Sequence, residues 1–102
     1  MFNFQNKEYE LRFNIKRIEM IEAVTNMPTM ASLSQSKGML KLSDLKTYFG
    51  YALKENGSDV FVPVKTSLEI ADEFIREKGY AKATELVLTA LERDCPFFFQ
   101  EN

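Results

Sequence analysis

The chain has 102 residues and 11.8 kDa, 45% hydrophobic and 27% charged, the composition of one ordinary globular domain with a single core. It contains no His and one cysteine, Cys95, which excludes imidazole chemistry, an internal disulfide and a cysteine-based metal cluster. A net charge of −2 and a pI near 5.2 argue against general affinity for phosphate backbones, and no apolar run approaches the roughly 18 residues that span a bilayer. The first residues lack the charged, apolar, then small-residue order of a secretory signal, so a reducing cytoplasm is the expected location.

In chain order, Phe2-Asn3-Phe4 and Tyr9-Glu10-Leu11-Arg12-Phe13 alternate apolar and polar residues around a turn-like Asn6-Lys7, which predicts a β-hairpin over 2–13. Phe2, Phe4, Tyr9, Leu11 and Phe13 share its apolar face, because a strand repeats every second residue. An isolated hairpin is marginal in water, so helices must cover that face. Asn14 is placed to cap a first helix over about 14–27, with Ile15, Ile18, Ile21 and Val24 as its apolar stripe and Pro28 as its end.

From Met27 to Leu42 no periodicity is visible, and the stretch reads as an irregular connection with one helical turn. Ser43 and Asp44 then open a second helix over 43–55, burying Leu45, Tyr48, Phe49, Ala52 and Leu53 and stopped by Asn56-Gly57. Val60-Phe61-Val62 reads as a short extended segment. Thr66-Ser67-Leu68-Glu69 has the form of a capping box, predicting a third helix over 67–78 that ends at Gly79. A fourth helix over 80–94 carries Ala83, Leu86, Val87, Ala90 and Leu91 inward until Pro96 forbids continuation. The apolar tail 96–102 follows, read as extended, with Phe97 and Phe99 facing one way and Phe98 the other.

Few of these residues suggest catalysis. Glu69, Asp72, Glu73, Arg76 and Glu77 read as a solvated helix face laced with weak ion pairs. Cys95 has no base to deprotonate it and sits beside Asp94, which disfavours the thiolate. Lys41, Lys46 and Lys54 flank Tyr48, Phe49 and Tyr51, but helical spacing turns those rings toward the core rather than toward stacked bases. Two features fit partner binding. Met27, Met30 and Met39 are flexible, polarisable side chains around a loose connection, and Phe97, Phe98 and Phe99 cannot all face one side of a regular element.

Phe-Gln-Asn-Lys-Glu-Tyr-Glu-Leu-Arg-Phe at 4–13, followed at once by a helix, resembles the start of small tail assembly chaperones of long-tailed bacteriophages. Leu-Lys-Thr-Tyr-Phe-Gly-Tyr-Ala-Leu-Lys-Glu at 45–55 is similar to that family's central helix, and the helices near 67–78 and 80–93 complete the likeness. The connection from Met27 to Leu42 departs from it. The resemblance implies a non-enzymatic assembly factor without cofactors, acting in the cytoplasm of the host bacterium and absent from the mature virion. Its implied partners are the tail tube (major tail) protein and the tape-measure protein.

The reading is therefore an α+β fold, an N-terminal β-hairpin packed against about four α-helices around one core. The function expected is tail assembly chaperoning through Met27, Met30, Met39, Phe97, Phe98 and Phe99, with self-association in view. The alternative is a small regulatory or nucleic-acid-associated binding domain. No metal, cofactor or catalytic residue is assigned.

Overall fold

Phe2, Phe4, Tyr9 and Leu11 all turn to one side of an antiparallel pair, β1 (Phe2–Phe4) and β2 (Lys7–Leu11), with Phe2 opposite Tyr9 and Phe4 opposite Lys7. The arrangement is that of a computed structural model, which describes residues 1–36 and 39–99. The turn is Gln5-Asn6, one residue earlier than Asn6-Lys7, and both residues have positive φ, 51° and 67°. Two such residues match the twist of the flanking strands in a two-residue hairpin loop.

The fold is α+β, as the sequence predicts, with an N-terminal hairpin and one hydrophobic core. Its helices are α1 (Ile15–Thr25), α2 (Thr29–Ser36), α3 (Leu42–Ala52), α4 (Val64–Lys78) and α5 (Tyr80–Asp94). No helix among the described residues is long and apolar enough to cross a membrane.

Asn14 caps α1 as expected, its side-chain oxygen accepting the Arg17 N–H at 2.7 Å. The helix ends at Asn26, whose φ of 56° places it in the left-handed region, before Pro28 is reached. Only Ile18 and Ile21 are buried; Ile15 and Val24 are exposed, contrary to the expected stripe. Each three-residue step falls about 60° short of a full turn, so four such positions fan across half the helix circumference.

The stretch expected to be irregular contains α2. Thr29 and Ser32 are buried and Leu33 half-buried, so hydroxyls at helical spacing hold it to the fold where an apolar stripe would normally do so. Glu22 of α1 accepts the Thr29 N–H at 2.7 Å, and the buried Tyr48 hydroxyl donates to Thr29 Oγ1 at 3.2 Å.

α3 begins one residue before Ser43, with Lys41 at its N-cap position and no side-chain cap, and stops at Ala52 instead of Glu55. Leu53–Glu55 forms β3, antiparallel to β2, with Leu53 opposite Leu11 and Glu55 opposite Tyr9. Leu, Lys and Glu favour helix intrinsically, but pairing with β2 satisfies their backbone groups and keeps Leu53 fully buried. The sheet order is β1-β2-β3. Val60-Phe61-Val62 is not a strand, although the Val62 N–H donates to the Leu53 carbonyl at 3.0 Å.

α4 starts at Val64, three residues ahead of the expected start at Ser67, so the sequence at 66–69 lies inside the helix and does not cap it. The Pro63 carbonyl accepts the Ser67 N–H at 2.9 Å, and the buried Ser67 hydroxyl returns to the Val64 carbonyl at 3.0 Å. The turn into α5 is made at Gly79, where φ is 94°, and α5 has the predicted limits.

α3 runs through the middle. Leu45, Tyr48, Phe49 and Ala52 have no exposed surface, and Phe49 and Phe74 bring their ring centroids to 4.9 Å. Phe2 and Phe4 close over Phe74 at 5.3 and 5.2 Å, so hairpin, α3 and α4 share one aromatic cluster. Gly50 permits the close α3–α4 crossing, since a Cβ there would lie 2.7 Å from Leu68 Cδ2. Leu11, Phe13, Ile18, Ile21, Phe49, Leu53, Phe74 and Leu91 are buried as expected, while Leu86 is half-buried.

Candidate protein-docking surface

Met27 is half-buried in the turn between α1 and α2, Met30 is exposed on α2, and Met39 is exposed just before the buried Leu40. The Tyr80 hydroxyl donates to the Leu40 carbonyl at 2.6 Å, fixing the backbone from which Met39 projects. Met27 and Met30 thus flank the start of α2, whereas Met39 comes from the segment before α3.

The tail is not extended: Pro96–Phe98 forms a 3-10 turn at the end of α5. Pro96 lacks an N–H but has the φ of a helix start, and the Phe99 N–H returns to its carbonyl at 2.9 Å. Phe97 and Phe99 remain 49% and 44% exposed, whereas Phe98 packs half-buried against the core. Phe98 differs from its neighbours in burial, but the expected alternation does not hold: in the tight turn the Phe97 and Phe98 rings lie together, 4.7 Å between centroids. Of the tail 96–102, Gln100, Glu101 and Asn102 lie outside the described residues.

Behind this turn, Asp94 joins the end of α5 to the end of β2. Its carboxylate accepts the Phe13 N–H at 2.9 Å, Arg12 Nη1 at 3.1 Å and Arg93 Nε at 2.8 Å, while Arg93 also donates to the Leu11 carbonyl. Burial alone would raise its pKa. The Arg93 hydrogen bond, the Phe13 N–H and the two guanidinium charges outweigh that and hold the carboxyl below its ordinary range. Arg12 reaches onward to Glu10 at 2.8 Å, which lowers the Glu10 pKa as well.

Glu10 lies opposite Lys54 in the β2–β3 register, and Lys54 Nζ stands 5.5 Å from the centroid of the Phe61 ring. Arg17 covers the same ring, its guanidinium carbon 3.8 Å from the centroid. Burial pushes the Arg17 pKa down. One connected surface therefore runs Arg17, Phe61, Lys54, Glu10, Arg12, Asp94, Arg93. Phe97 and Phe99 follow it in sequence, and the exposed Val60 lines a groove with Phe61, whereas Ile15, two residues before Arg17 on α1, points to the other side of that helix. Guanidinium and ammonium groups have the chemistry to pair with carboxylates, and a phenyl ring beneath a guanidinium holds its plane.

No single element of the sequence contains this surface, because its members come from β2, the β2–α1 connection, α1, β3, the β3–α4 connection and α5. One local signal exists. Lys16 and Arg17 occupy the first turn of α1, which has no acidic residue, against the usual preference for carboxylates at that end.

The carboxylate face of α4 is less detached than a solvated face. Asp72 pairs with Arg76 at 2.7 Å and with Lys46 of α3 at 3.4 Å, and Glu73 accepts a hydrogen bond from Gln5 of the hairpin turn. These bonds tie the face to its neighbours. Tyr48 and Phe49 are core residues, as helical spacing predicts. Cys95 is buried, and burial followed by the Asp94 charge pushes its pKa up, keeping the thiol protonated.

Compared with family models, curated proteins and solved structures, the chain matches none.

Proposed function

We propose that this chain is a phage tail assembly chaperone, a non-enzymatic factor that binds tail tube and tape-measure proteins in the cytoplasm of the host bacterium and is left out of the mature virion. Two lines support the reading. The segments that resemble the family, 4–13 and 45–55, form the hairpin, α3 and β3, so the likeness falls on the scaffold of the fold. The observation that carries the binding role is the pair Phe97 and Phe99, half exposed in a chain that buries Phe4, Phe13, Phe49 and Phe74. Exposed aromatic side chains are common anchors in protein interfaces. Here they dock on an assembly surface and are displaced when the subunit joins the tube.

Co-expression with neighbouring tail tube and tape-measure proteins, followed by affinity capture, tests the reading. Capture of either partner is the expected outcome; capture of neither overturns it. The alternative, a regulatory or nucleic-acid-associated domain, draws on the Arg17–Phe61 stack and predicts retention on heparin or DNA at low salt.

A further inference from the structure

The surface running from Arg17 to Arg93 has a charge balance unlike that of the whole chain. Arg12, Arg17, Lys54 and Arg93 meet only Glu10 and Asp94, leaving two positive charges in excess on a chain whose net charge is −2. Both carboxylates are already engaged by Arg12 and Arg93. Among the described residues, Arg17 forms no ion pair and is held over Phe61 instead. A partly desolvated guanidinium without a carboxylate is poorly used for stability, and the ring beneath it keeps its planar fork set for bidentate pairing. Val60, 70% exposed, lines a groove with Phe61 and adds apolar area.

We propose that this surface docks an acidic protein segment that also carries aliphatic side chains, its carboxylates pairing with Arg17 and Lys54 and its apolar groups covering Val60 and the edge of Phe61. The proposal rests on the protein-binding reading above and names the chemistry of the partner. A phosphate backbone fits less well, because Glu10 and Asp94 lie within the same surface and repel it, and the exposed apolar groups contribute nothing to it.

The test is fluorescence anisotropy with a labelled peptide of alternating Asp and Leu, a matched peptide with Asn in place of Asp, and a labelled oligothymidylate. The Asp peptide is expected to bind about tenfold more tightly than the Asn peptide, and to lose that advantage near 1 M salt, where the Debye length is about 3 Å. Arg17→Gln with Lys54→Gln should weaken it about tenfold at unchanged melting temperature, and Arg17→Lys with native Lys54 should recover part of the loss. Equal affinity for the Asp and Asn peptides, binding of neither, indifference to the double substitution, or tighter binding of oligothymidylate each overturns the proposal. If the double variant still captures a tail protein, the chaperone reading survives and this surface falls; if wild type captures none but prefers the Asp peptide, the reverse holds.

Discussion

Two sets of phenylalanines sit in opposite settings in this molecule. Phe2 and Phe4 of the hairpin and Phe49 and Phe74 of the helices form one cluster, linked by ring contacts of 4.9–5.8 Å that shield the rings from water. Phe61, Phe97 and Phe99 lie at or near the surface, one beneath two cations and the others half exposed. The first set contributes to stability through burial and ring contact. The second is less buried, and its ring contact is the local one between Phe97 and Phe98, 4.7 Å between centroids. The contrast separates rings that make the fold from rings that the fold leaves at or near its surface.

The sharpest way to break the comparison is at its buried pole. Phe49→Ala should destabilise by about 3–5 kcal/mol in a denaturant titration, a large share of the stability of a domain this size. A loss below about 1 kcal/mol would mean that the interior cluster does not hold the fold.

Asp94→Ala, at the junction between the two regions, should cost about 2 kcal/mol because the Phe13 N–H and two guanidinium groups lose their acceptor. The folded-state pKa of Asp94 lies below its unfolded value, so its contribution is complete above about pH 4 and disappears as the pH falls through the folded value. Wild type and variant should therefore converge in stability on acidification. Parallel stability curves down to low pH would contradict the assignment.

Phe98→Ala should cost about 1–2 kcal/mol, between the two poles, since that ring is half-buried on the core. At the exposed pole, Phe97→Ser together with Phe99→Ser should change thermal stability by less than about 0.5 kcal/mol. A large drop in melting temperature in the second variant would place those rings in the core and collapse the distinction.

The same contrast explains what the sequence made legible. α3 and α5 are readable because Leu45, Tyr48, Phe49 and Ala52, and Ala83, Val87, Ala90 and Leu91, repeat at helical spacing with hydrocarbon side chains. α2 is not, because it is seated through Thr29 and Ser32, and hydroxyls facing inward produce no apolar period. β3 is hidden for a different reason: Leu53, Lys54 and Glu55 favour helix locally, and only the distant β2 recruits them as a strand. That part of the triplet Phe97, Phe98 and Phe99 is exposed is legible in the triplet itself, whereas which rings are exposed and the turn that presents them are not, because Pro96 starts a 3-10 turn instead of an extended segment. Arg12, Arg17, Lys54, Phe61 and Arg93 form one surface only after folding, so no window of sequence contains it.

The most direct test of the account is affinity capture of the tail tube and tape-measure proteins by wild type and by the Phe97→Ser, Phe99→Ser variant, with melting curves recorded on the same samples. The account predicts equal melting temperatures and a marked loss of captured tail protein in the variant. Equal capture by the two proteins would contradict it, because the exposed aromatic end would then have no part in binding.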